Sequence, residues 1–164
     1  MEILKSLTLA ILLTVTAEAN MNTADNNKKT VTEFFEKFSK GDPSAYGLID
    51  QNVKWWVPET LAFGKEFQSA ADYFKMLQQT FKGFPSGLSL KVVSLMAEGD
   101  FVAAEVESDA IHVCGSPQFH YKNRYHFKIK LKDGKFINVK EYNDTKHLNE
   151  LYELIQSDEC QAQL

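Results

Sequence analysis

"QFHYKNRYHFKIKL", residues 118–131, decides the fold. Phe119, Tyr121, Asn123, Tyr125, Phe127, Ile129 and Leu131 share one parity; His120, Lys122, Arg124, His126, Lys128 and Lys130 share the other. A strict period of two over this length predicts a strand with one buried face and one wet face. One-sided burial of this kind belongs to antiparallel sheets.

The preceding run, "FVAAEVESDAIHV", is its complement. Val102, Ala104, Val106, Ser108 and Ala110 fall on one face, and Glu105, Glu107 and Asp109 on the other. If Gly115-Ser116 is a two-residue hairpin turn, Glu105 faces His126, Glu107 faces Arg124 and Asp109 faces Lys122. Acid meets base at each step, worth about 0.2–1 kcal/mol per pair. The same register sets Val106 against Tyr125 and Ser108 against Asn123. The basic stripe is therefore read as a solvated face neutralised by its neighbour, rather than as an anion or RNA site.

Working outward, "LSLKVVSLMA" and the turn "EGD" precede this hairpin. The turn "KDGK" and the strand "FINVKEYN" follow it. "VKWWVP" is an earlier strand stopped by Pro58, with Val53, Trp55 and Val57 on its core face. "ETLAFGKEF" reads as loop. Helices are expected from Thr30 (Val31, Phe34, Phe35, Phe38), from Asp42-Pro43 (Tyr46, Leu48, Ile49) and after the cap Ser69 (Phe74, Leu77, Gln78, Phe81). A last helix is expected after Asp144 (Leu148, Leu151, Tyr152, Ile155). The order implies α+β: a curved sheet with helices covering one face.

The chain has 164 residues and a formal net charge of −4. That suits one domain and offers no basic excess for nucleic acid. "MEILKSLTLAILLTVTAEA" has a lysine, an apolar run and an A-x-A ending. It reads as a signal peptide over residues 1–19, cut near Ala19-Asn20, which would export the protein to a periplasmic or extracellular space. Membrane contact is then expected only through that segment. Residues 20–29 are expected to be a flexible leader, residues 30–156 the domain and residues 157–164 a tail. In an oxidising compartment Cys114 and Cys160 could pair, although spacing alone cannot place them together. No His/Cys spacing matches a metal site.

Taken in order, "VKWWVP", "MAEGDFVAAEVES" and "HYKNRYHFKIKLKDGKFINVKEYNDT" resemble the SnoaL-like branch of the NTF2-like superfamily, over about residues 28 to 155. The resemblance implies a cone-shaped curved antiparallel sheet wrapped around N-terminal helices, with a cavity at the wide end. It also implies a homodimer through the outer sheet face. Ketosteroid isomerases, polyketide cyclases, dehydratases and epoxide hydrolase-like enzymes share this architecture, so the fold does not fix the activity. The epoxide hydrolases need an Arg and an Asp where Val106 and Ser108 stand, and a water-holding Tyr and Asn where Lys54 and Trp56 stand. That mechanism is not expected here. The tyrosine and protonated aspartic acid of the isomerases' oxyanion hole cannot be placed either.

Two carboxylates remain, Glu141 and Asp144 in "VKEYNDTKH". Asp144 precedes the last helix and reads as its N-cap. Ile137, Val139 and Glu141 alternate on one face, which aims Glu141 at the cavity near Asn123 and Tyr125. Two readings of Glu141 stand: a desolvated general acid or base, or a carboxylate bonded to a tyrosine or histidine that closes the sheet mouth. The candidate ligand-binding residues are Trp56 (placed by the resemblance), Tyr121, Asn123 and Tyr125. The expected ligand is a small apolar or aromatic molecule, with no cofactor.

Overall fold

The structure is a computed structural model. It describes residues 23–164, apart from the side chains of Thr80 and Phe81. The proposed signal peptide and its cleavage site lie outside the described residues, as does the expected packing of Phe81. Helix α1 covers 23–39. A 3-10 turn, Pro43–Leu48, leads into β1, Ile49–Trp56. Then come β2, Glu66–Phe67; α2, Ala70–Phe81; β3, Ser89–Glu98; β4, Phe101–Ile111; β5, His120–Lys132; and β6, Lys135–Asn143. Two C-terminal helices, α3, Thr145–Gln156, and α4, Asp158–Gln161, complete the chain. The six strands form one sheet in the order β2-β1-β6-β5-β4-β3, antiparallel throughout except for the parallel pair β1–β6.

The β4–β5 register pairs Glu105 with His126, Val106 with Tyr125, Glu107 with Arg124, Ser108 with Asn123 and Asp109 with Lys122, as the charge pattern requires. The turn itself is wider than two residues. Backbone bonding continues to the His112 N–H bond to the Phe119 carbonyl and the Phe119 N–H bond to the Cys114 carbonyl, and Ser116-Pro117 is a cis peptide within the loop beyond. At the other end Asp133 and Gly134, at φ 52° and 71°, form the tight turn. Positive φ at both positions is what a two-residue hairpin of matching twist needs.

Several expectations are corrected. Residues 23–29, read as leader, are helical. Asn27 donates to the Gly99 carbonyl, and the surface pairs Asp25–Lys28 and Glu33–Lys37 line the helix. Polar composition hid a segment held by one buried amide rather than by an apolar stripe. Tyr46 is exposed, and Ala45 takes its place inside. "ETLAFGKEF" is not all loop, since Glu66 and Phe67 pair with Trp56 and Trp55. The expected tail contains α4, whose buried residue Cys160 is disulfide-bonded to Cys114 across a Cα–Cα distance of 5.3 Å. In β6 a bulge shifts the register between Lys130 and Leu131 of its partner, so Phe136 rather than Ile137 is buried. A bulge inserts one residue and turns the parity beyond it.

Gly83 is required beside this bridge. A Cβ there would overlap the ring of His112, which is fully buried and packed edge-on against Phe84. Gly83→Ala should therefore destabilise the fold by about 1–3 kcal/mol through overpacking. Denaturant unfolding of the single variant and of Gly83→Ala with His112→Ala would check this: the second change should recover part of the loss.

Candidate functional site

The site is assembled on the inner face of the sheet. β1 and β6 run parallel with Trp55 opposite Val139, which brings Trp55 and Glu141 to the same face at the open end. Helix α2, capped by Ser69 accepting from the Asp72 N–H, lays Tyr73 over them. The Trp55 and Tyr73 rings stack at 4.0 Å and 15°.

Both rings donate to a single atom. Trp55 Nε1–H and the Tyr73 hydroxyl each reach Glu141 Oε2 at 2.8 Å. Among the described residues Glu141 Oε1 has only a long contact of 3.4 Å from Asn143 Nδ2. Glu141 is 7% exposed, and burial pushes its carboxyl above the ordinary range. The donors of Trp55, Tyr73 and Asn143 oppose that rise without cancelling it. A charge out of water favours its neutral form, whereas donors aimed at it favour the charged one. It follows that Tyr73→Phe or Trp55→Phe should raise the Glu141 midpoint further, measured by carboxyl NMR titration.

Glu141 lines a cavity of about 60 Å³ whose walls are otherwise aromatic (Phe34, Phe35, Trp55, Tyr73, Tyr125 and Phe127 among them) and aliphatic (Leu77, Leu88 and Leu90). Burial, reinforced by the nearby Glu141 charge, pushes the hydroxyls of Tyr73 and Tyr125 well above the ordinary phenol range.

The expected ligand-binding residues divide. Tyr125 lines the cavity. Tyr121 stands one step behind it, with the two hydroxyls 2.5 Å apart. Asn123 has a different job. Its amide donates to the Tyr121 oxygen and the Asp144 carbonyl, and its carbonyl accepts from the Arg124 and Asp144 N–H groups. Two of these bonds stay within β5, and the two with Asp144 fasten β5 to the start of α3. Asp144 caps α3, accepting from the N–H groups of Lys146 and His147. Trp56 lies on the outer face, donating to Glu59 at 2.7 Å and packing against Tyr142. The resemblance put the wrong tryptophan in the cavity, and Trp55 holds that position.

Two site residues, Trp55 and Tyr73, escape a sequence reading. Trp55 shares parity with Val53 and Val57, so it reads as core. Ala70, Tyr73, Phe74 and Leu77 form an i, i+3, i+4, i+7 stripe, one step round the helix from the stripe first drawn. Among the described residues His112, Cys114 and Cys160 bring metal-ligating atoms within 4.8 Å of one another, but both sulfurs belong to the disulfide.

The sequence profile of the SnoaL-like domain matches residues 31–139. The chain belongs to the SnoaL-like domain family. The match ends two residues before Glu141. No curated protein matches the sequence. Solved structures agree on the SnoaL-like, NTF2-like fold. Bal32a, from a soil-derived mobile gene cassette, superposes with a TM-score of 0.69 at 17% identity, over 79% of this chain and 98% of its own. IdmH from Streptomyces antibioticus, a candidate polyketide cyclase, gives 0.66 at 17%, over 77% and 98%. A candidate SnoaL-like polyketide cyclase from Jannaschia sp. CCS1 gives 0.64 at 15%, over 82% and 94%. At these identities the likeness is one of fold, and this SnoaL-like chain's chemistry has to be argued from its own cavity.

Proposed function

We propose that this SnoaL-like protein is a cofactor-independent acid/base enzyme of the isomerase, cyclase or dehydratase kind. The observation that carries the reading is the asymmetry of Glu141, a carboxylate that lines the cavity: Oε2 is held by two buried donors, and Oε1 takes only the long contact from Asn143. A carboxylate fixed through one oxygen presents the other in a defined direction. Desolvation moves its proton affinity toward neutrality, where a general base works best. Tyr125 supplies the second group. Tyr121 accepts from Asn123, so when it donates to Tyr125 the Tyr125 proton is left for a carbonyl oxygen in the cavity. Glu141 then removes a proton beside that carbonyl, while Tyr125 stabilises the charge developing on oxygen.

Deuterium exchange tests this. In D2O the protein should exchange protons next to a bound carbonyl, at a rate that rises with pH through the Glu141 midpoint read by carboxyl NMR. Exchange at the buffer rate, with Glu141 titrating in the ordinary carboxylate range, would leave only a binding cavity. The exported location is proposed on two grounds: the N-terminal apolar run, and a disulfide that suits an oxidising compartment. A homodimer through the outer sheet face is favoured by exposed Val93, Met96, Phe101 and Tyr142 on its strands. Sedimentation at micromolar concentration should then show two copies per particle.

A further inference from the structure

The dimensions of the cavity restrict what can reach Glu141. At about 60 Å³ it is far smaller than the 300–1,000 Å³ of sites that enclose drug-sized ligands. A water needs roughly 10–15 Å³ on this measure, so the space holds about four waters, or a head group of about that many heavy atoms. A second hollow, of about 220 Å³, runs along the surface between the end of α1 and α2, beside Tyr46, Phe74 and Gln78. Phe38, Leu77 and Leu88 line both spaces, so the groove lies against the cavity with these three side chains between them. The joint between them is walled by three apolar side chains, and the inner cavity carries the Glu141 carboxyl beside Tyr73 and Tyr125. Together they make a narrow, mostly apolar pair of hollows, with Ser39, Asp42 and Gln78 on the outer one and the Glu141 carboxyl on the inner one.

We propose that the substrates are slender, unbranched aliphatic carbonyl compounds. The carbonyl head passes Phe38, Leu77 and Leu88 to reach Glu141, and the alkyl tail lies in the groove. Fused-ring compounds are excluded, because a ring system broader than the joint cannot bring its carbonyl to the carboxylate. This inference rests on the acid/base reading of Glu141 for turnover, but binding alone tests its shape requirement.

The test uses straight-chain methyl ketones from butanone to methyl hexyl ketone, with a sulfonated anthraquinone as the fused-ring probe. The readout is the indole N–H resonance of Trp55, which is bonded to Glu141. A Trp56→Phe variant assigns it. Affinity should rise about fourfold per added methylene while the tail still finds groove. The anthraquinone should leave the resonance unmoved. Leu77→Trp, which fills the joint, should lower the affinity for methyl hexyl ketone at least tenfold. If that variant fails to fold, Leu77→Ala should flatten the chain-length dependence instead. A Trp55 shift with the anthraquinone, or equal affinity for short and long ketones, would overturn the proposal. Proton exchange in the same samples separates the two readings. Chain-length-dependent binding without exchange sinks the acid/base function and keeps the substrate shape. Exchange of butanone with no gain from longer chains does the reverse.

Discussion

Replacing Cys160 by serine lowers the thermal midpoint by roughly 10–15 °C, the equivalent of about 4 kcal/mol for a domain of this size. The figure follows from the loop the bridge closes, which spans a sequence separation of 46. Such a cross-link removes much of the unfolded chain's freedom. The folded state also depends on it locally. α3 buries Leu148, Leu151 and Ile155 and can stay docked by itself. α4 is four residues long, with Cys160 as its buried side chain, so the bridge is its principal anchor. Loss should therefore split into two observables: a lower midpoint by circular dichroism, and early amide exchange confined to residues after Ser157. Both cysteines are 1% exposed, so a reductant should act slowly on the native protein and quickly near the midpoint. Equal midpoints for the wild type and Cys160→Ser would mean that the bridge constrains nothing the fold does not already fix.

Some of this was legible in the sequence and some was not, for physical reasons. The β4–β5 pairing could be read because two independent patterns, charge on one face and side-chain size on the other, fit a single register. The loop joining those strands could not, because many loop shapes serve one register. At Asp133-Gly134 the turn was plain, but the bulge after it was not, since nothing in "KFIN" distinguishes Phe136 inside from Ile137 inside. Glu141 still points inward because residues beyond the bulge keep the parity of Val139. Trp55 and Tyr73 were missed for a deeper reason. The carboxylate that carries the chemistry is itself embedded among core side chains, so its partners have the periodicity of packing. No sequence pattern separates an aromatic ring that fills a core from one that also donates a hydrogen bond.

Glu141→Gln should lower carbonyl-dependent proton exchange by 10²–10⁴-fold, the range a positioned general base contributes, and should make the protein more stable at alkaline pH. Both effects come from the same desolvation. The folded carboxyl takes up protons more readily than its ordinary value of 4.5. Between that value and the raised one, the native state binds more protons than the unfolded state, so stability falls as pH rises through the window. The contribution is whole below the unfolded value and lost above the folded one. The base is active only when ionised, so activity rises across the window in which stability falls. Glutamine keeps an oxygen for the Trp55 and Tyr73 donors but cannot ionise, which removes the base and the pH penalty together. Glu141→Ala is the contrasting variant. It leaves the Trp55 N–H and the Tyr73 hydroxyl with no protein acceptor, at about 1–3 kcal/mol for each group that water entering the cavity does not satisfy. Unfolding free energies from pH 4 to 9 should thus show a falling limb for the wild type, a flatter line for Glu141→Gln and a lower one for Glu141→Ala. A wild-type curve parallel to that of Glu141→Gln would mean that Glu141 titrates alike in both states, and the base would then have to be sought elsewhere.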